Sequence, residues 1–298
     1  MMGLVMEEPR GYAFVDCGDG RRLESFGGWL VDRPAPTATG RRGAPSRWVG
    51  AAVYRGGAGW QGPEQVVLGE AGGSVGIAGA TMLVRPAPSG NVGLFPEHAV
   101  NAAWLASAVR ARGGAEADTG NSPRVLNLFA YTGLATIVAT LAGATVTHVD
   151  ASRPTVAWAR ANAEQSGLAT SPIRWLVDDA LALVHREARR ERRYSGVVLD
   201  PPSYGHGTRG DRGAWRFDDR IDELLEACAG ILTPGAFWLL TTHTPGWDPA
   251  RLARTLADAS GCRPVDVDPV ELRLRAESGG MLSLGAAARL DPLRGERR

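Results

Sequence analysis

VLNLFAYTGLATIVATLAGATVTHVD, running from Val125 to Asp150, is the stretch that decides the fold of this chain. Val125–Phe129 is short and almost wholly apolar, as a buried strand would be. A small-residue turn follows, and Leu134–Leu141 resumes as a helix before Thr145–Val149 reads as a second strand. The same alternation continues downstream. Helices are expected over Val156–Gln165, Leu181–Arg190, Ile221–Ile231 and Arg251–Ala259, with strands over Ile173–Val177, Gly196–Leu199 and Phe237–Thr241. Val265–Arg275 and Met281–Arg289 close the chain as a hairpin, and upstream Pro96 opens a helical run over Ala99–Val109 that Gly113 and Gly114 should bound. Strands alternating with helices mean βαβ units with right-handed crossovers, so the expected fold is α/β, with a doubly wound, mostly parallel sheet over residues 93–298.

Residues 1–92 have a different texture. Short runs at Tyr12–Val15, Trp29–Val31, Trp48–Tyr54, Gln65–Leu68 and Thr81–Val84 stand between Gly and Pro turn signals, which predicts a small β-rich N-terminal domain. Arg33–Arg47 reads as an exposed loop.

With 298 residues, 44% of them apolar and 22% charged, the chain is neither disordered nor fibrous. All 33 basic residues are Arg, and against 32 acidic ones they leave a net charge of +1, so nucleic acid would have to be met by a local patch. Arg186–Arg193 and Arg209–Arg220 are the two candidates, each also readable as a solvated face. No apolar stretch has the length of a membrane helix, and Glu7 and Glu8 interrupt the N-terminus, so a soluble, cytoplasmic protein without membrane contact is expected. Cys17, Cys228 and Cys262 are scattered, with neither a disulfide framework nor ligand spacing; no metal is expected.

Ligands of open α/β sheets bind outside the carboxyl ends of the strands, so the residues just after each strand carry the functional reading. The first such turn, Asn127 through Phe129, Ala130, Tyr131, Thr132 and Gly133, brings backbone amides and a helix N-terminus close to a ligand, or is an ordinary βα turn. It lacks G-x-G-x-x-G, which argues against NAD and FAD. After the second strand, Asp150 is placed to accept from a ribose diol or to cap the next helix, with Ala151 beside it and Ser152 suited to the cap. After the third, Asp178 and Asp179 precede Ala180; either a base amino group or the helix dipole explains an acid there, and Asp179 is the preferred ligand residue. After the fourth comes Asp200-Pro201-Pro202-Ser203-Tyr204. Its prolines remove two N–H donors and stiffen a turn that presents acceptors, with Tyr204 near enough to stack on a ring.

Together these residues resemble the class I S-adenosylmethionine-dependent methyltransferases, whose sheet is Rossmann-like, and among them the bacterial family of 23S rRNA cytosine-C5 methyltransferases and its short relatives. The likeness runs from about Gly90 to the C-terminus, through Gly93–His98, Leu126–Gly133, Val149-Asp150, Val177–Ala180 and Leu199–Tyr204. It implies S-adenosylmethionine as cofactor, RNA of the ribosomal type as partner, and cytoplasmic rRNA modification. By the same resemblance, Asn127 to Gly133 hold the methionine part, Asp150 the ribose, and Asp179 with Asp178 the adenine. Phe95 and Glu97 belong to a segment leading into that site, where the family has Asp-Gln and this chain has Glu97-His98. Asp200, the Pro201 carbonyl and Tyr204 are then the catalytic set: the first two orient an acceptor amine and the third stacks on its ring, while Asp200 also counts, with Phe95, Ala151, Ser152 and Ala180, among the residues expected to touch the cofactor.

The chain departs from that family in two respects. Cytosine-C5 chemistry needs a cysteine nucleophile, and where the family carries it this chain reads Thr241-Thr-His-Thr244. The N-terminal region also does not match an RNA-binding PUA-type domain, although Gly18–Trp29 and Asp32-Arg33-Pro34 look like elements of the smaller relatives. Two rival readings follow: a methyltransferase of a small molecule or protein, and a non-catalytic module that retains the cofactor pocket. His206 and His243 are placed near strand ends without an assigned role.

Overall fold

The computed structural model describes residues 9–63, 73–116, 122–205 and 215–295. Their contacts group the chain into two units: Met1–Ala103 with Ala161–Ala169 and Arg273–Leu284, and Trp104–Arg160 with Thr170–Leu272 and Gly285–Arg298.

In the first unit, β1 (Tyr12–Gly18), β2 (Arg21–Phe26) and β3 (Trp29–Pro34) form an antiparallel meander. It is extended by the short β4 (Ala52–Tyr54), parallel to β3, and by β5 (Trp60–Gln61). A separate hairpin joins β6 (Gly73–Ile77) to β7 (Ala80–Val84). The strand β2 is absent from the sequence expectation because its inward positions carry charge. Glu24 is fully buried and accepts from Arg33 Nε at 2.9 Å and from the Tyr12 hydroxyl at 3.1 Å, while Arg22 Nε lies 3.2 Å from the same carboxylate. Paired charges can occupy interior positions, and a hydropathy pattern cannot show the pairing.

That cluster also corrects the exposed reading of Arg33–Arg47. Arg33 is buried against Glu24, and Ala35 and Ala38 are buried too, although most of the remaining segment is exposed. Trp48–Tyr54 is likewise not one strand. Pro45–Trp48 is a 3-10 turn opened by its proline, and Gly50 in left-handed backbone separates it from β4. The expected strand at Gln65–Leu68 lies outside the described residues.

Asp16, fully buried after a bulge in β1, organises this loop region. Its carboxylate accepts from the amides of Cys17, Gly43 and Ala44, the Trp48 indole at 2.7 Å and the Ser278 hydroxyl at 2.7 Å.

The second unit follows the sequence expectation more closely. Its elements in chain order are α1 (Ala99–Glu116), β8 (Arg124–Leu128), α2 (Leu134–Leu141), β9 (Thr145–Asp150), α3 (Arg153–Gln165), β10 (Ile173–Val177) and α4 (Ala180–Arg189). Then come β11 (Tyr194–Leu199), α5 (Phe217–Ala229), β12 (Leu232–Thr242), α6 (Pro249–Ser260), β13 (Val267–Arg275), β14 (Met281–Leu290) and α7 (Pro292–Gly295). The first turn of α1 counts with the first unit, as do the last turn of α3 and the tip of the β13–β14 hairpin. Gly113 and Gly114 do not stop α1, which continues to Glu116, and β12 starts five residues ahead of Phe237 through Pro234 and Gly235.

Strand order is β10-β9-β8-β11-β12-β14-β13. The first five strands are parallel, and β14 runs antiparallel to β12. From β8 the chain steps outward to β9 and β10, then returns to the other side of β8 with β11 and β12, so the direction of winding reverses between β8 and β11. Such a switch point opens a crevice at the carboxyl ends of the strands. Beneath it, Leu126, Leu128, Val197 and Leu199 are fully buried with Leu183, Val184, Leu224 and Leu225 from the covering helices.

For the first unit, burial alone would push the Asp16 carboxyl up, but Ser278, Trp48, Ala44 and Gly43 outweigh it and hold it below the usual carboxylate range. A folded pKa below the unfolded one adds stability at neutral pH that disappears as pH falls through the folded value. Asp16→Ala should therefore cost about 2–4 kcal/mol at neutral pH, leaving several buried donors unsatisfied. Thermal midpoints measured at neutral and strongly acidic pH should show the deficit shrinking in acid.

Candidate active site

The turn after β8 is held in an unfavourable backbone. Phe129 (φ 53°) and Tyr131 (φ 48°) both occupy the left-handed region without being glycine, and Gly133 follows at φ 91°. Each non-glycine residue there costs on the order of 1–3 kcal/mol. Compensation comes from the neighbouring strand, whose Val149 carbonyl accepts the Ala130 amide at 3.0 Å, and from the Gly133 amide closing onto the Ala130 carbonyl at 3.0 Å. Gly133 is required twice, by its φ and because a Cβ would come 3.2 Å from Ala159 Cβ on α3. Behind the turn, the buried Asn127 side chain donates to Thr136 Oγ1 at 2.9 Å, and Thr136 Oγ1 lies 2.9 Å from His148 Nδ1. Burial, and then the charge of Arg160, pushes the His148 ring down to about 3. His148 is thus neutral, and Asn127 supports the turn from within the core.

Asp150 clasps this turn to the next one. One carboxylate oxygen accepts the Tyr131 amide and the other the Ser152 amide, both at 2.9 Å. Burial raises the carboxyl, and those two amides pull in the opposite direction without cancelling it. The cap of α3 falls to Ser152, whose hydroxyl accepts the Thr155 amide at 3.3 Å, while Ala151 is exposed. Asp150 itself is only half-buried. A carboxylate offers about four acceptor positions, so one bond to each oxygen leaves capacity on both.

At the end of β10, Asp179 caps α4 by accepting the Ala182 amide at 2.8 Å, and Ala180 starts the helix in a buried position. Asp178 accepts the Asp179 amide and pairs with Arg186. Sequence reasoning passed over Val177, an apolar side chain left exposed at the strand end beside these acids.

The Asp-Pro-Pro-Ser-Tyr turn after β11 is braced by residues that the sequence did not single out. Thr241 at the end of β12 donates to Asp200 Oδ1 at 2.5 Å, and the Asp200 amide reaches the Leu128 carbonyl at 3.4 Å. Ser203 donates to Thr244 Oγ1 at 3.0 Å, and its carbonyl accepts the Phe217 amide. The Trp215 indole donates to the Pro202 carbonyl at 2.7 Å. Among the described residues, nothing donates to the Pro201 carbonyl. Tyr204 is exposed, with the Arg216 guanidinium 5.6 Å from its ring centre.

No thiol sits at these strand ends. Cys228 is buried in α5, where burial pushes its thiol up; Cys262 follows α6, 3.1 Å from Ser260 Oγ, and Cys17 lies in β1. The Arg186–Arg193 stretch is largely engaged in ion pairs, with Arg190 and Arg192 gathered with Arg174 around the fully buried Glu187. Much of Arg209–Arg220, and His206, lie outside the described residues. Phe95 and Glu97 lie in the first unit, Phe95 packing edge-on to His98 at 6.1 Å and Glu97 buried.

Comparison with known proteins bears directly on this arrangement. No protein-family model matches the chain. The crystal structure of the SAM-dependent methyltransferase from Agrobacterium tumefaciens is 33% identical, with a TM-score of 0.83, over 95% of this chain and 90% of its own. A structure from Streptococcus mutans, 15% identical with a TM-score of 0.67 over 95% of this chain and 76% of its own, shares the fold. Among curated proteins, ribosomal RNA large subunit methyltransferase K/L of Methylococcus capsulatus is 30% identical over 185 residues, which are 61% of this chain and 22% of that protein. Ribosomal RNA large subunit methyltransferase I of Photobacterium profundum is 31% identical over 47% of this chain and 35% of its own length. The chain thus spans a minor part of the curated relatives it matches.

Proposed function

The chain belongs to the SAM-dependent methyltransferases, and from that premise we propose that it binds S-adenosylmethionine at the ends of β8, β9 and β10 and methylates a base of RNA, ribosomal RNA being the substrate class named for its curated relatives. The observation that carries this reading is the clasp of Asp150 on the Tyr131 amide, which joins an acidic strand end to the tight turn of the neighbouring strand.

The donor set fits the cofactor. Asp150 retains acceptor capacity on both oxygens, which suits the two hydroxyls of a ribose. The turn of Phe129, Ala130, Tyr131, Thr132 and Gly133 is the surface against which the methionine part would lie, its Ala130, Tyr131 and Gly133 amides being bonded to Val149, Asp150 and Ala130. Val177 and Ala151 present exposed apolar surface for the faces of an adenine, with Ala180 below, and Asp179 and Asp178 supply carboxylates for its amino group. When bound, the cofactor supplies an activated methyl group on a positively charged sulfur.

The chain's own task is alignment, which is worth on the order of 7–11 kcal/mol in the best intramolecular systems. Thr241 fixes Asp200 by one oxygen. The Asp200 carboxylate and the Pro201 carbonyl are acceptors suited to orient an exocyclic amine, so that the nitrogen lone pair faces the methyl group. Tyr204 is exposed and suited to stack on the base, as aromatic side chains do on unpaired RNA bases. The placement of the three cysteines supports an amine acceptor over cytosine C5, since the ring-carbon route requires a thiol to add to the base. RNA as the acceptor also supports a cytoplasmic location. Among the described residues no helix is long and apolar enough to cross a membrane.

Calorimetry with S-adenosylhomocysteine should show binding that Asp150→Ala weakens by roughly 10- to 100-fold through the loss of charge-assisted bonds. Because burial raises the Asp150 carboxyl, affinity should fall with acidification at a higher pH than an ordinary aspartate would impose, the ionised form being the better acceptor. Asp200→Ala should keep the affinity for S-adenosylhomocysteine and lose turnover. Transfer of labelled methyl to RNA, read by nucleoside mass spectrometry, identifies the modified base, and substrate affinity that falls steeply with salt is expected for RNA. Flat salt dependence would favour a small-molecule acceptor, and bound cofactor with no transfer to any acceptor would favour a binding module.

A further inference from the structure

Trp215 touches two of the turns at the carboxyl edge of the sheet. Its ring packs against Phe129, with centroids 4.9 Å apart and planes at 52°, and its indole N–H donates to the Pro202 carbonyl at 2.7 Å. One side chain therefore touches both the strained turn after β8 and the Asp-Pro-Pro-Ser-Tyr turn after β11. Its backbone is equally fixed. The Gly205 amide donates to the Trp215 carbonyl at 2.9 Å, Tyr204 and Arg216 pair as an antiparallel bridge, and the Ser203 carbonyl accepts the Phe217 amide at 3.1 Å. Gly205 is needed for this approach, because a Cβ there would stand 2.8 Å from Trp215 Cβ. Phe129 sits in left-handed backbone, so its ring direction is set by the conformation of the turn itself.

We propose that Trp215 is a positioning residue that couples the two halves of the reaction: any adjustment that cofactor binding makes in the Phe129–Gly133 turn, which Asp150 and Val149 hold in shape, is passed through the indole to the Pro202 carbonyl and so to Asp200 and the Pro201 carbonyl. This inference rests on the reading of that turn as part of the cofactor site. Losing the N–H while keeping a ring should disturb acceptor alignment and spare cofactor binding. Losing the ring as well should disturb both.

The test uses the full chain with S-adenosylhomocysteine as probe. Subtracting the emission of Trp215→Phe from that of the natural protein isolates Trp215 fluorescence, which should change on titration. Trp215→Phe should hold its affinity for S-adenosylhomocysteine within about twofold while kcat for methyl transfer falls roughly 10- to 100-fold. Trp215→Ala should weaken the probe several-fold as well. Should that variant not fold, as its thermal midpoint would reveal, Phe129→Leu serves instead and should abolish the probe-dependent change in Trp215 emission. An unaltered kcat in Trp215→Phe, or a probe-dependent signal that survives whole in that variant, overturns the coupling. The two readings fail differently: no calorimetric binding in the natural protein removes the cofactor site and this inference with it, whereas normal binding with a silent Trp215 removes only the inference.

Discussion

A carboxylate that holds two successive turns together is the constraint on which this site depends. Phe129 and Tyr131 adopt a backbone that side-chain-bearing residues avoid, at a cost of about 1–3 kcal/mol each. The Asp150 oxygen that receives the Tyr131 amide, and the Val149 carbonyl that receives the Ala130 amide, are what keep the turn in that shape. The acid that would receive a ribose thus also sets the geometry of the loop beside it. Burial raises that acid, and the bonds from Tyr131 and Ser152 work against the rise. On the proposed reading, losing Asp150 would remove a cofactor ligand and relax a strained turn together.

Support for the turn comes from below as well as from the side. The chain Asn127, Thr136, His148 is buried, and His148 is kept neutral there. A charged imidazole in that interior would be expensive to bury, so the neutral ring is part of what makes the floor stable. Gly133 lets α3 pack close beneath the same turn. The turn after β11 is built differently, from a proline-stiffened backbone braced by hydroxyls of Thr241 and Thr244 and by the Trp215 indole.

What the sequence disclosed follows from which interactions leave a local trace. An apolar run such as Val125–Leu128 announces a strand because the middle of a parallel sheet is buried on both faces. Leu134–Leu141 and Ile173–Val177 have the bounds expected of them. Position after a strand picked out Asp150 and Asp200, since the carboxyl edge of such a sheet is where ligands bind. By contrast β2 was illegible because Arg22 and Glu24 face inward as a charged pair. Trp215 and Thr241 were illegible for another reason: each acts on a turn through a tertiary contact, 13 residues from Pro202 for the indole and 41 from Asp200 for the hydroxyl. For Asp179 residue type left two roles open, toward a base or toward the helix terminus, and the structure shows the second, a cap on α4, without excluding the first.

A crystal structure of the protein with S-adenosylhomocysteine addresses the central claim most directly. The account predicts both ribose hydroxyls within about 3 Å of the Asp150 carboxylate, with the adenine beside Val177 and the sulfur facing the Asp200 turn. A nucleoside seated elsewhere on the molecule, or an Asp150 carboxylate that makes no contact with it, would contradict the account.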